Sequence, residues 1–357
     1  MLRHMLLGTI AAISLGIAAS SAAHAQQEPA RYAGPTEPSK APPGLKVTAI
    51  TCLSILHGCV SPAEALQHVG KKLGWKVTVS DGGGNPGRQN AAILDAVSSG
   101  ADVIALIAID PAAVQLGLKA AKDAGILVVS GSSGIDTPNP VIPPAPGKLG
   151  VAFDVGPNYA QLGKLTADWI IKDSNGKANL ALFSDKEFPS VTALQVGLVA
   201  EMKTCTGCTV SAPIYFTGNQ VGTTLPQQTV GYLRAHPETT YLFSPFDPAA
   251  GVQVPAIMQA GLGSQVKLVS ILGDQQNLDF IRRGVVQVAD GAYENEYMGW
   301  AIADQVIRIK NKQPMFDPHG ENQPFTVLDK TNLPAAGTDW LADFDYKSKF
   351  LSLWQGK

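Results

Sequence analysis

The sequence predicts an α/β protein of two similar lobes, each a mostly parallel sheet flanked by helices. Three observations carry this. Strand and helix patterns alternate without a break from Lys46 to Ser130, the alternation resumes from Gly150, and the connections are short. Such alternation demands parallel strands joined by right-handed crossovers. There are too many units for one small sheet.

The elements follow in order. Lys46–Cys52 is rich in β-formers and reads as a strand, with a loop over Leu53–Val60. Ser61-Pro62-Ala63-Glu64 is a capping box with proline at the first helical position. Leu66, Val69 and Leu73 then recur at helical spacing, and Gly74 stops the helix. Trp75–Val79 is the second strand, and Pro86–Ser99 a helix ended by Gly100. Asp102–Ile109 is apolar on both faces, as a central parallel strand should be. Asp110-Pro111 caps a third helix ending at Gly125, and Ile126–Ser130 is the fourth strand.

In the second half, Gly150–Phe153 is a short strand and Tyr159–Ile171 a helix. Asn179–Phe183, Val210–Phe216, Thr240–Phe243, Val266–Ile271 and Val285–Val288 read as strands with helices between them. Met298–Ile309 is a long helix with Trp300, Ala303 and Ile307 on one face. Asp136–Gly147, rich in proline, reads as a surface loop.

The first 25 residues have the form of an export signal. Arg3 and His4 form a basic head, Met5–Ala19 is uncharged and apolar, and Ala23-His24-Ala25 is a small-x-small cleavage site. The apolar run is shorter than the ~20 residues a membrane span needs. No cysteine stands at the cleavage site to accept a lipid. A soluble periplasmic protein is therefore expected, with a proline-rich tail over residues 26–44.

The 357 residues are 45% hydrophobic and 16% charged, with a net charge of −2. This balance lacks the clustered lysine and arginine that nucleic acid requires. The four cysteines form two close pairs, Cys52 with Cys59 and Cys205 with Cys208. In an exported chain these read first as disulfides. Cys205-x-x-Cys208 also has redox spacing, but it follows a helix rather than opening one, where the dipole would stabilise thiolate. A zinc set of Cys52, His57 and Cys59 lacks a fourth ligand.

Gly82-x-Gly84-x-x-Gly87 follows a strand, opens a helix and precedes Asp110 by about the interval of a dinucleotide fingerprint. Pro86 interrupts it and removes an N–H that would face pyrophosphate. Asp110 is equally a helix cap. No cofactor is expected. His57, His68, His236 and His319 share no ligand spacing, but His57 lies after the first strand, where doubly wound sheets bind ligands.

Several phrases resemble the type I periplasmic binding proteins of the ribose-binding family, over roughly Leu45–Leu328. They are Leu73–Val77, Ala101–Ile104, Ala121–Ile126, Phe243–Asp247, Gln259–Gly261, Leu278–Gly284 and Met298–Ala301. The same fold serves DNA-binding repressors, but an export signal stands here in place of their helix-turn-helix head. The resemblance implies two Rossmann-like lobes joined by a three-stranded hinge, with crossings near Phe153–Val155, Ala289–Tyr293 and Val327–Lys330. One lobe would comprise residues 45–153 and 293–328, the other 154–292 and 329–357. It implies a monomer that closes on a small ligand and is recognised by an ABC importer permease, with no chemistry of its own.

The departures from the family pattern bear on the ligand. Ser132-Ser133 stands where sugar-binding relatives carry Asp-Arg. Thr192 replaces an arginine, Phe246 an asparagine, Leu272 an aspartate and Tyr293 a glutamine, whereas Phe216, Asp110 and Asp247 keep the pattern. Each buried hydroxyl of a sugar must be paired, so losing these groups favours a ligand with fewer hydroxyls. A polyol, a deoxy sugar, a small alcohol or an aromatic compound fits. Phe188, Phe216, Phe246 and Tyr293 would supply stacking faces. In a register slipped by one or two residues, Asp185, Glu187, Asp274 and Glu294 would restore polar contacts. The expected ligand contacts are Ser54, His57, Asp110, Ser132, Glu187, Phe216, Phe246, Asp247, Asp274 and Tyr293. A membrane-coupled ligand sensor is the alternative role, and an exported oxidoreductase using the glycine loop a third.

Overall fold

A computed structural model of the chain describes residues 31–135 and 146–355. The expected export signal, and most of the proline-rich stretch after Ile135, lie outside the described residues. In the first lobe β1 (Lys46–Thr51), α1 (His57–Leu73), β2 (Lys76–Asp81), α2 (Pro86–Ser98), β3 (Val103–Ile107), α3 (Gln115–Asp123), β4 (Leu127–Gly131) and β5 (Asp154–Val155) follow one another. The sheet order is β2-β1-β3-β4-β5, all parallel. β3 is buried along its whole length, which is why its sequence does not alternate.

The second lobe runs α4 (Tyr159–Asp173), β6 (Asn179–Asp185), α5 (Pro189–Met202), β7 (Thr209–Val210), β8 (Ile214–Phe216), α6 (Leu225–Ala235), β9 (Tyr241–Phe243), α7 (Asp247–Gln259), β10 (Lys267–Leu272), α8 (Gln275–Arg283) and β11 (Gln287–Tyr293). Then come α9 (Asn295–Lys310), β12 (Phe325–Asp329) and α10 (Tyr346–Trp354). The second sheet is ordered β12-β11-β10-β9-β6-β7, with β12 antiparallel to β11 and β8 beside the end of β6. Leaving out β8 and β12, this order repeats that of the first sheet. Each sheet therefore has one point, β1/β3 and β6/β9, where the strand order reverses and ligands bind beyond the strand ends.

Four expectations differ in detail. α1 begins at His57, not Ser61. Leu56 is its extended N-cap, and Pro62 sits inside the helix. The expected short strand at Gly150–Phe153 is found at Asp154–Val155, although Ala152 and Phe153 already bond alongside β4. The expected strand Val210–Phe216 is two, because Pro213 has no N–H and the chain re-pairs with a later part of β6. The segment expected to complete the second lobe, 329–357, divides. Asp329 pairs in the second sheet, whereas α10 packs on α9, with Trp354 stacked on Trp300 at 5.6 Å.

The proline-rich residues before β1 are also part of this packing. Arg308 pairs with Asp304 inside α9 and donates to the Glu37 carbonyl at 3.1 Å. Asp304 in turn accepts from the Trp354 indole at 2.7 Å. Tyr32 meets the edges of Phe344 and Phe350. A buried ion pair with both partners further bonded is a geometry that fixes register.

Both cysteine pairs are disulfides, with Cα–Cα distances of 5.5 Å for Cys52–Cys59 and 5.3 Å for Cys205–Cys208. Cys52–Cys59 ties the end of β1 to the first turn of α1 and takes both sulfurs from any zinc set. Cys205–Cys208 closes the turn after α5, away from a helix N-terminus. Closing a loop as short as that of Cys52–Cys59 stabilises by roughly 2 kcal/mol. Its replacement by Cys52→Ser/Cys59→Ser is expected to lower the melting temperature by about 3–6 °C, measured by calorimetry.

Candidate functional site

The carboxyl ends of the parallel strands in the two sheets face each other, and the site is built from the loops that leave them. A small chamber of about 60 Å³ lies there, bordered by both lobes. Leu56, Ala108 and Ser132 come from the first lobe, and Phe188, Phe246 and Leu272 from the second. Tyr159 and Tyr293 stand where the chain passes between them. Three of these residues have backbone in the left-handed half of conformational space: Ala108 at φ 53°, Ser132 at 59° and Leu272 at 142°. Such conformations are costly for residues other than glycine. Their concentration on one chamber marks it as a place the fold is built to hold.

The walls are apolar and aromatic, with hydroxyls as the polar groups. Phe188 meets Phe246 edge-on at 5.8 Å, and Tyr159 meets Tyr293 edge-on at 5.9 Å. Ser132 Oγ lies 3.1 Å from the Tyr159 hydroxyl. Burial raises the Tyr159 and Tyr293 hydroxyls well above the usual phenol range, so both stay neutral. Ser133 turns inward instead, donating from Oγ to the Ile109 carbonyl at 2.8 Å. Its amide and that of Ile135 donate to Asp154, which holds this turn against β5.

A second chamber of about 210 Å³ lies on the other side of Phe188, which lines both. Its lining is mixed, and its polar groups include Asn85, Gln89, Asp110, Lys186 and Glu187. Asp110 caps the turn before α3 through the Ala112 amide at 2.9 Å. Glu187 accepts from the Gly218 amide at 2.8 Å. The glycine loop forms part of this wall. Its Gly82, Gly83 and Gly84 amides are bonded to Thr51, Asp81 and Cys52, and Arg88 to Asn85. Those amides of the loop are thus bonded within the protein rather than turned toward a pyrophosphate.

The lobes are joined at the rim by His57. Its Nδ1 lies 2.6 Å from Asp274 Oδ1, and Nε2 lies 3.9 Å from Asp339 Oδ2. His57 opens α1 in the first lobe, whereas Asp274 follows β10. Asp339 is fixed beside Asp274 by accepting from the Gln275 amide at 2.7 Å. The hydrogen bond to Asp274 raises the His57 pKa to about 9, against the cost of burial. Burial raises the Asp274 carboxyl above its ordinary value, with the hydrogen bond and charge of His57 acting against that rise. These three groups hold ligand atoms within 4.8 Å of one another. The carboxylates approach opposite ring nitrogens, however, which is the geometry of a bridged imidazolium rather than a metal centre.

The expected contacts therefore fall into separate places. Ser132, Phe246 and Tyr293 border the inner chamber, Asp110 and Glu187 the outer, and His57 and Asp274 pair at the rim. Three do not face the cleft. Ser54 turns toward β2, donating to Asp81 from its amide at 3.0 Å and from Oγ at 3.1 Å. Phe216 is buried behind Phe246, 5.7 Å away. Asp247 lies inside the second lobe, bonded to Ser270 and to the Asp274 amide at 2.7 Å. It shares that cluster with Asp290, and burial raises both carboxyls, Asp290 to about 6 and Asp247 well above the usual range. The sequence reading missed Leu56 and Tyr159. Tyr159 follows the Asn158 cap directly and looked like an ordinary first helical residue.

A family model described as a periplasmic binding protein domain matches residues 59–313. No curated protein matches the chain. Among solved structures, a galactofuranose binding protein superposes with a TM-score of 0.69 at 18% identity, covering 87% of this chain and 99% of that one. An ABC transporter solute binding protein from Agrobacterium vitis with bound D-fucose gives 0.69 at 19% identity, covering 80% and 96%. A second from the same organism, bound with α-D-tagatopyranose, gives 0.71 at 16%, covering 81% and 95%. At these identities the likeness is one of fold.

Proposed function

Because the chain belongs to the periplasmic binding protein family, we propose that it captures a small neutral solute between its lobes and presents it to an ABC importer in the inner membrane. The carrying observation is the chamber bordered by both lobes. A ligand placed there touches both at once, and so favours closure by its higher affinity for the closed form. Among the described residues no helix is long and apolar enough to cross a membrane. On the family and on the export-signal pattern of residues 1–25 we place it in the periplasm, as a monomer with a membrane permease as partner.

The lining indicates the ligand class. Two of the similar structures carry D-fucose and α-D-tagatopyranose, but here Ser132, Ser190, Tyr159 and Tyr293 offer only neutral hydroxyls to the inner chamber. An aldohexose would leave several hydroxyls unpaired against Leu56, Leu272 and Phe246, at about 1–3 kcal/mol for each buried group. We infer a ligand with an apolar face and few hydroxyls: a small alcohol, a polyol or deoxy sugar, or a compact aromatic. The inner volume of about 60 Å³ is well below the roughly 300–1,000 Å³ of ordinary ligand sites. Phe188 is the partition from the outer chamber, so the position of its ring sets how large a ligand enters.

Thermal unfolding of the mature protein with neutral sugars, polyols, small alcohols and aromatic acids tests this. A ligand at 100 times its Kd stabilises by about 2.7 kcal/mol. That is expected as a shift of about 5 °C with a poorly hydroxylated ligand and none with ribose or galactose. A shift with a common aldose would leave solute capture standing and remove the inferred ligand class.

A further inference from the structure

Behind the second-lobe wall of the inner chamber, two aspartates meet on one serine. Asp247 opens α7, Asp290 lies in β11, and Ser270 stands beside Asp290 in β10. All three are fully buried. Ser270 Oγ is in close contact with Asp247 Oδ1 and lies 3.0 Å from Asp290 Oδ2. The other oxygen of each carboxyl faces the turn after β10. Asp290 Oδ1 accepts from the Gly273 amide at 3.0 Å, and Asp247 Oδ2 from the Asp274 amide at 2.7 Å.

The hydrogens at this point are too few for two carboxylates. Asn277 Nδ2 donates to the Asp247 main-chain carbonyl at 3.3 Å and to Gln287 Oε1 at 2.9 Å. That orientation turns the Gln287 nitrogen toward Ser270 Oγ, 2.6 Å away, and Asp290 Oδ2, 3.2 Å away. Ser270 Oγ thus accepts from Gln287 and has one hydrogen to give, yet it touches two carboxyl oxygens. The second contact needs a proton on the carboxyl. Asp290 Oδ2 already accepts from Gln287, so the proton falls on Asp247 Oδ1. Two neighbouring buried carboxylates resist ionising together. Burial and the Asp290 charge accordingly raise Asp247 well above the usual range, and Asp290 less far. The remaining acid beside them, Asp274, turns outward to His57, with Asp339 beyond.

The pair holds a turn that the ligand chamber uses. Leu272, at φ 142°, borders the inner chamber, Gly273 has φ 86°, and Asp274 meets His57 of the first lobe. The Gly273 and Asp274 amides are anchored on the two carboxyls rather than on a neighbouring strand.

We propose that Asp247 and Asp290 are positioning residues for solute capture. They share one proton through Ser270, Asp247 being the neutral member, and hold the Leu272–Asp274 turn where it walls the chamber and meets His57. The role in capture rests on the chamber being the ligand site, whereas the proton and the turn can be measured without ligand.

Substituting asparagine at each position tests this. In Asp247→Asn the new amide nitrogen donates to Ser270 as the protonated carboxyl does, and its oxygen keeps the Asp274 amide. In Asp290→Asn a donor must face a donor, because Ser270, Gln287 and Gly273 all donate to this carboxylate. Asp247→Asn is expected to melt within about 2 °C of the native protein, and Asp290→Asn about 5 °C or more below it. Exchange of the Gly273 and Asp274 amide hydrogens should be unchanged in the first and about ten-fold faster or more in the second. Unfolding the native protein releases the Asp247 proton, since an unfolded aspartate ionises near ~3.9. From about pH 6.5 to 7.5 its unfolding constant should therefore rise about ten-fold more than that of Asp247→Asn. This comparison holds even if Asp290→Asn does not fold. Equal destabilisation by the two substitutions, or equal pH slopes in the native protein and Asp247→Asn, would overturn the shared proton. A ligand that binds Asp290→Asn as tightly as the native protein would overturn the positioning role. Failure of every solute to bind the native protein, with the asymmetry intact, would instead count against solute capture.

Discussion

Replacing His57 by alanine is expected to weaken ligand capture about ten-fold at pH 7 and to change nothing above pH 10. His57 is the basic half of the ion pair that holds the lobes together at the rim, 2.6 Å from Asp274. When the lobes part, the ring returns to water and to a pKa near 6.5. In the closed form Asp274 first, and then Asp339 and Glu64 by their charges, hold it at about 9. A raised pKa means that closure takes up a proton between these values. The stabilisation is complete below pH 6.5, declines as pH rises through about 9, and is absent beyond it. At the acid end it is lost again as Asp274 protonates. The side chain is 38% exposed, so solvent screening reduces the full linkage to about 1–1.5 kcal/mol. Affinity measured from pH 6 to 10 should fall toward alkaline pH in the native protein and stay flatter in His57→Ala. Parallel pH profiles in the two proteins would remove the rim pair from the closure mechanism.

Gly197→Leu is expected to prevent the second lobe from folding, and Gly197→Ala to cost it about 3 kcal/mol or more. α4 and α5 touch backbone to backbone through two glycines. A Cβ on Gly197 would stand 1.9 Å from the Ala160 carbonyl oxygen, and one on Gly163 would stand 2.0 Å from that of Leu194. Overpacking usually costs about 1–3 kcal/mol because a side chain can give way. Here the obstacle is main chain on both sides, so the helices must separate. Phe188, just before α5, and Val191 and Leu194, in its first two turns, border the inner chamber. The alanine variant should therefore lose ligand affinity along with stability. Urea unfolding followed by circular dichroism reads the first effect and titration of the panel ligand the second. A Gly197→Ala protein as stable as the native one would show that the contact is not as close as described.

The alternation of β and α patterns was visible in the sequence because each central strand is buried on both faces and each surface helix on one. Turns betrayed themselves through Asn85-Pro86 and Asp110-Pro111, where Asn85 caps α2 and Asp110 caps the short turn before α3. The start of α1 was misplaced because a capping box is a local signal. Cys52–Cys59 instead pins the first helical turn four residues earlier. Residues after the strands were recognisable as a group, since chain order alone puts them at the carboxyl ends. Which way each side chain turns was not. Ser132 and Ser133 are neighbours of the same type, yet one faces the chamber and the other bonds the Ile109 carbonyl.

Local physical chemistry thus decided the class of fold, the repeated lobe and the cysteine pairs, because hydrophobic period, capping and spacing are written over short stretches of chain. The lining of the cleft and the His57–Asp274 contact across 217 positions arise where distant segments meet. Burial and partner choice there depend on packing summed over both lobes, and no local stretch of sequence carries that sum.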